Sequence, residues 1–119
     1  PIIYVAESNP GNVWDVGIAG SYNSGSYYHT GLVWNHNDGN WTIFDKLTTE
    51  PGNTINWSDS SIVSGNFKAG NVTVAGNVKS TSTITGALKV AGGVGITGNL
   101  YVGGNITMLD SNTMLKHRF

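Results

Sequence analysis

The sequence predicts an all-β protein in two parts: a small aromatic-rich β unit, then a hexapeptide-like repeat forming an intertwined or prism-like trimeric β-shaft. Three observations predict it. Only 11% of the 119 residues are charged and 17 are glycine, while strong helix formers are scarce, a balance that favours strands and turns. The composition breaks near Ser64: residues 1–64 hold all four Trp and four of the five Tyr. Beyond it runs an internal repeat, which outranks any local signal. The expected division is 1–64, 65–109 and a C-terminal tail over 110–119.

The first part reads as short strands between strong turn signals. Ile2–Ala6 is a plausible opening strand, and Ser8-Asn9-Pro10-Gly11 a turn. Trp14, Val16 and Ile18 alternate with Asp15 and Gly17, which predicts a strand, and Gly20–Ser26 reads as a polar loop. Tyr27–Asn35 and Trp41–Asp45 flank His36-Asn37-Asp38-Gly39-Asn40, a hairpin signal in which Asn-Asp-Gly supplies left-handed backbone positions. Trp34 and Trp41 are placed to pair across that hairpin. Thr49-Glu50-Pro51-Gly52 closes the unit.

The second part repeats Gly-Asn-apolar-x-apolar-x: GNVTVA from Gly70, a partial unit at Gly76, then GALKVA, GGVGIT, GNLYVG and GNITML from Gly86. Glycine and apolar positions share one parity throughout, and a strand alternates faces with period two. The insert Ser80–Thr83 has an even number of residues, so the parity survives it and it reads as a longer corner or an underfilled core layer. One apolar stripe on four-residue strands buries too little surface to fold alone. Three chains packed about an axis would supply the missing partner. The expected trimer core is Val72, Val74, Val78, Ile84, Leu88, Val90, Val94, Ile96, Leu100, Val102, Ile106 and Met108. Gly70, Gly76, Gly86, Gly92, Gly98 and Gly104 are the expected close-packing or bend glycines. A left-handed β-helix of the acyltransferase kind also uses hexapeptides, but these units would give barely two turns and no histidine lies among them.

Several functions are disfavoured. Net charge is −1, so neither nucleic acid nor an anionic membrane is an expected partner. The halves differ in sign: six acids and Lys46 give −5 over 1–64, and five bases with one acid give +4 over 65–119. With no cysteine there is neither a disulfide framework nor a thiol nucleophile. No run is long and apolar enough for membrane insertion. A chain opening on proline reads as an internal fragment or a processed product. Asp15, Asp38, Asp45, Glu50 and Asp59 show no spacing that fixes a glycosidase pair, and His36 beside Asp38 lacks further metal ligands. No catalytic residue, metal or cofactor is expected, and the chain is read as a non-enzyme. The candidate contact residues are Tyr22, Tyr27 and Tyr28 around the Gly20–Ser26 loop, with His29 beside them. Their rings offer a carbohydrate-stacking platform.

The stretch Tyr27-Tyr28-His29-Thr30-Gly31-Leu32-Val33, followed by Asp38-Gly39-Asn40-Trp41-Thr42-Ile43-Phe44 and Thr49-Glu50-Pro51, resembles a segment recurring in long structural proteins of tailed phages, marine and cyanobacterial ones especially. There it typically precedes Gly-Asn-apolar repeats like the stretch here from Thr83 to Ile96. The resemblance spans nearly the whole chain. It implies a homotrimeric tail or receptor-binding fibre on the virion surface, outside the cell, in contact with other tail or fibre proteins. The expected role is a rigid shaft segment contributing to host attachment; the alternative is a carbohydrate- or receptor-binding module on a β-repeat stalk, taking a host cell-surface glycan. The chain departs from the pattern after Met108, where no recognisable tip follows.

Overall fold

A computed structural model of the chain describes residues 1–109, so the expected tail over 110–119 lies outside the described residues. The chain divides into two units, Pro1–Asn71 and one beginning at Val72. The first is built on one open antiparallel sheet, β1 Val16–Asn23, β2 Tyr27–Asn35, β3 Asn40–Leu47 and β4 Val63–Ser64, in the order β1-β2-β3-β4. No helix occurs among the described residues.

The β2–β3 hairpin forms where the turn signal places it. Trp34 pairs with Trp41 and Asn35 with Asn40, and the two indoles meet at 6.2 Å. The loop is a four-residue α-turn rather than a two-residue one: the Gly39 N–H donates to the Asn35 carbonyl at 2.9 Å. Only Gly39 is left-handed there, at φ 68°. The Asn35 and Asp38 side chains instead accept from the N–H groups of Asn37 and Asn40, the local bonding that makes these residues turn formers. The first turn is shorter than expected. Gly20–Asn23 belong to β1, and the chain reverses at Ser24–Ser26 with Gly25 at φ 87°. Ile2–Ala6 forms no strand.

The phase of β1 is opposite to the one the alternation suggests. Ile18 is 72% exposed, and Asp15 and Gly17 share the inner face that carries Val33 of β2. Small residues occupy that face because two backbones crowd there. A methyl on Gly17 would overlap the Leu32 carbonyl, and one on Gly31 would overlap the Ile18 carbonyl and press on Phe44. Val33, Phe44, Leu47 and Ile55 form the core, with Trp57 and Ile62 packed against it. The Phe44 and Trp57 rings meet edge to face at 5.8 Å. Residues 50–62 thus cover one face of the sheet. The other face carries Ile18, Leu32, Trp34, Trp41 and Ile43, of which Ile18, Leu32 and Trp41 are exposed.

The fold class expected for the second part is overturned. Residues 65–109 contain no strand, and the only sheet among the described residues is the small open one of the first unit, neither closed nor curled into a prism or helix. The expectations of a rigid trimeric shaft, and of a binding module carried on a repeat stalk, fall with it. The physical reason is the ladder. Period-two patterning makes a strand only when a neighbour pairs its backbone, and here the apolar pairs Val72/Val74, Val94/Ile96 and Leu100/Val102 are each followed by Gly-Asn, and Leu88/Val90 by Gly-Gly, which favour bends. All twelve expected core residues from Val72 to Met108 are 45–80% exposed in this chain. The chain turns at the Ser80–Thr83 insert: the Thr85 hydroxyl accepts from the N–H groups of Thr81 and Ser82 at 2.8 and 2.9 Å. Of the six expected bend glycines only Gly86, at φ 112°, is left-handed, and Gly70, Gly92, Gly98 and Gly104 have open space at the Cβ position.

Close backbone approach therefore requires glycine in the sheet, whereas in the repeat only Gly86 calls for it, through its positive φ. Gly31→Ala is expected to lower stability by about 1–3 kcal/mol through overpacking, shifting the thermal midpoint by roughly 5 °C or more. Gly20→Ala, with nothing within 4 Å of its Cβ position, should change it by less than about 0.5 kcal/mol. Thermal melts followed by tryptophan fluorescence compare the two; coincident midpoints would refute the close approach.

Candidate functional site: a buried carboxylate and the tyrosine end of the sheet

The best-built polar cluster lies around Asp15. Its side chain is 2% exposed, at the entrance to β1, and it joins three parts of the chain. Oδ1 accepts from the His36 backbone N–H at 2.9 Å and lies 2.6 Å from His36 Nδ1. Oδ2 accepts from the Ile55 N–H at 2.7 Å and from Trp57 Nε1 at 3.0 Å. The Asp15 N–H itself donates to the Asn53 carbonyl at 2.9 Å. His36, expected beside Asp38, thus pairs with Asp15 instead.

Burial pushes the Asp15 carboxyl up, but the donors from Ile55, His36 and Trp57 together outweigh it and hold it below the usual carboxylate range. Four donors fill the carboxylate's acceptor positions, leaving no lone pair directed at a substrate or metal. Asp59 is used in the same way. It accepts from the Thr49 N–H, from the hydroxyls of Thr48, Thr49 and Ser61, and from the Ser61 N–H. The Thr49 hydroxyl leads these donors in holding its carboxyl well below the ordinary range. Among the described residues no group of three or more His, Asp or Glu could hold a metal ion.

The expected contact residues are split between the two faces of the sheet. Tyr22 pairs with Tyr28 across β1 and β2, and their rings lie 5.7 Å apart, tilted by 42°. The Tyr22 hydroxyl donates to Asp45 Oδ1 at 2.7 Å. That bond is the leading cause that raises the Tyr22 phenol and lowers the Asp45 carboxyl. Tyr27 and His29 face the other way, ring edge to ring face at 5.0 Å. Period two separates neighbours in sequence, so the three tyrosines make no common stacking platform.

His29 is buried beside a β-bulge. The β2–β3 register shifts between His29 and Gly31, and Lys46 sits at φ 57° opposite the shift, an extra residue of the kind that bends and twists a ladder. His29 Nδ1 lies 3.2 Å from the Leu47 carbonyl oxygen. Nε2 lies 3.2 Å from Glu50 Oε2 but out of hydrogen-bond alignment, and is buried without a partner. The bulge also brings the Thr30 hydroxyl onto the Phe44 carbonyl at 2.9 Å.

Sequence reasoning missed Asp15 as an organising residue. The available signal was a lone acid inside an alternating strand between Trp14 and Val16, at a position whose parity continues through Gly17 and Ala19. Asp15→Asn is expected to cost about 3 kcal/mol at neutral pH, because the amide nitrogen must face two donors. A carboxyl whose folded pKa lies below its unfolded value contributes stability in full above about pH 4, lost as pH falls through the folded value. The gap between wild type and Asp15→Asn in urea unfolding should therefore shrink as pH falls from 7 toward 2. An unchanged gap would show that the ionised carboxylate is not what stabilises the unit.

No protein-family model, curated protein or solved structure matches the chain.

Proposed function

We propose that the chain is a non-catalytic assembly module of a virion surface protein of the tailed-phage kind, acting by association with further copies of itself. The observation that carries this reading is the run from Val72 to Met108, whose twelve alternating apolar side chains are all exposed in the single chain. Soluble monomers seldom leave so much contiguous apolar surface in water, and a second chain is the simplest cover for a repeated stripe. The non-catalytic reading is supported by Asp15 and Asp59, whose oxygens are occupied by hydrogen bonds within the fold. The virion setting is supported by the resemblance of Tyr27–Pro51 and of the Gly-Asn-apolar units to phage structural proteins.

Light scattering of the purified chain should give a multiple of its 12.6 kDa mass, with three copies the expected number. Val90→Asp should abolish association at micromolar concentration, since it would bury an unpaired charge. Lys89→Asp, of the other parity, should leave it intact. A monomeric wild type, or equal loss from both substitutions, would overturn the reading.

A further inference from the structure

The free edge of the first unit's sheet has no strand partner. β1 is the outermost strand, eight residues long, and its register with β2 runs without a shift from Val16 to Asn23. It contains no charged residue and no proline. Edges exposed to water ordinarily carry a lysine, a proline, a bulge or a cover. Asn53 bonds to the Asp15 N–H at the approach to the strand, and Pro51, Gly52 and Thr54 share a cleft with Gly17, Ile18 and Ala19, but this segment forms no ladder with the strand. From Ile18 to Asn23, no backbone group hydrogen-bonds to a segment other than β2 among the described residues. The opposite edge, β4, is two residues long and offers no comparable template.

Beside this edge the outer face of the sheet is apolar and shallow. Ile18 and Leu32 are 72% and 41% exposed, and they line a shallow depression together with Ala19, Gly20, Thr30 and Gly31. An added strand would lay one row of side chains against these residues and pair its backbone with β1. The chain itself carries a sequence of that form. Units such as Gly86–Ala91 and Gly92–Thr97 place large apolar residues at alternate positions, with small or polar ones between, have no ladder of their own, and are six residues long, the length of the open stretch Ile18–Asn23. The charges are complementary as well. Residues 1–64 carry −5, whereas between Val72 and Leu109 the only charges are Lys79 and Lys89.

We infer that β1 is a strand-acceptor edge whose occupant is a Gly-Asn-apolar unit from residues 72–108 of a second copy of the chain. Main-chain bonds then supply affinity, and alternate apolar side chains set the register. The contact is heterologous, acceptor edge to donor segment, so it propagates or closes into a ring rather than pairing two copies face to face. The inference rests on the self-association proposed above and specifies its geometry.

The chain has no cysteine, so engineered thiols report without background. Gly20→Cys is mixed with a chain carrying Val90→Cys, Ile96→Cys or Val102→Cys, and the mixture is oxidised mildly. A mixed disulfide dimer exceeding both self-linked dimers is expected for at least one pair. Self-linked Gly20→Cys as the main product would mean β1-to-β1 pairing and overturn the inference. So would the absence of any mixed dimer, or linkage only within one chain when both cysteines are present. Ile18→Lys is the second measurement. It should reduce the associated fraction about tenfold at 10 μM while leaving the thermal midpoint of the sheet unit unchanged, because Ile18 packs on nothing in the core. If Ile18→Lys associates like wild type while Val90→Asp does not, self-association stands and the acceptor edge falls. If wild type is itself monomeric, both fall.

Discussion

The Asp15 carboxylate is the constraint on which the first unit depends. The buried apolar core among the described residues is four side chains, Val33, Phe44, Leu47 and Ile55, too little apolar surface to hold an open four-stranded sheet by itself. Asp15 ties the entrance of β1 to the β2–β3 loop through His36 and to the covering segment through Ile55 and Trp57. Those bonds place Trp57 against Phe44 and so set the core's one aromatic pair. A buried charge is costly unless its acceptor positions are filled. Here the four donors come from elements far apart in sequence, and the cost of leaving any of them unpaired couples those elements.

The crowding between β1 and β2 is the second constraint. Glycine at 17 and 31 lets the two backbones approach more closely than a methyl would allow, which turns the inner side of β1 over to small residues. The large side chains of β1 and of the matching positions on β2 and β3 then point outward. One face of the sheet is covered by residues 50–62; the other remains an apolar surface bordered by an uncharged edge strand. The same alternation that builds the core therefore builds the surface on which the proposed association depends.

The bulge at Lys46 explains why the tyrosine end is not one site. By displacing β3 relative to β2 it brings Asp45 to Tyr22, Leu47 to His29 and Phe44 to Thr30. Among the described residues the buried side-chain atom there without a hydrogen-bond partner is His29 Nε2, held against the exposed Glu50 carboxylate. The aromatic residues in this region are thus distributed between the core side and the outer side, and serve the ladder before any ligand.

The amino-acid sequence by itself determined the all-β character of the first unit, the hairpin around His36–Gly39 and the Trp34–Trp41 pair. Each follows from local chemistry: turn-forming side chains, glycine where φ is positive, period-two patterning. It left open, and tertiary structure decided, which face of β1 turns inward, because alternation gives a phase only up to inversion and the approach of two backbones chose it. Tertiary structure also decided the role of Asp15, since its four donors lie 21 to 42 residues away. The apolar repeat shows the same limit. Its parity is plain in the sequence, but a strand exists only where a neighbouring backbone completes the ladder, and one chain does not supply that neighbour.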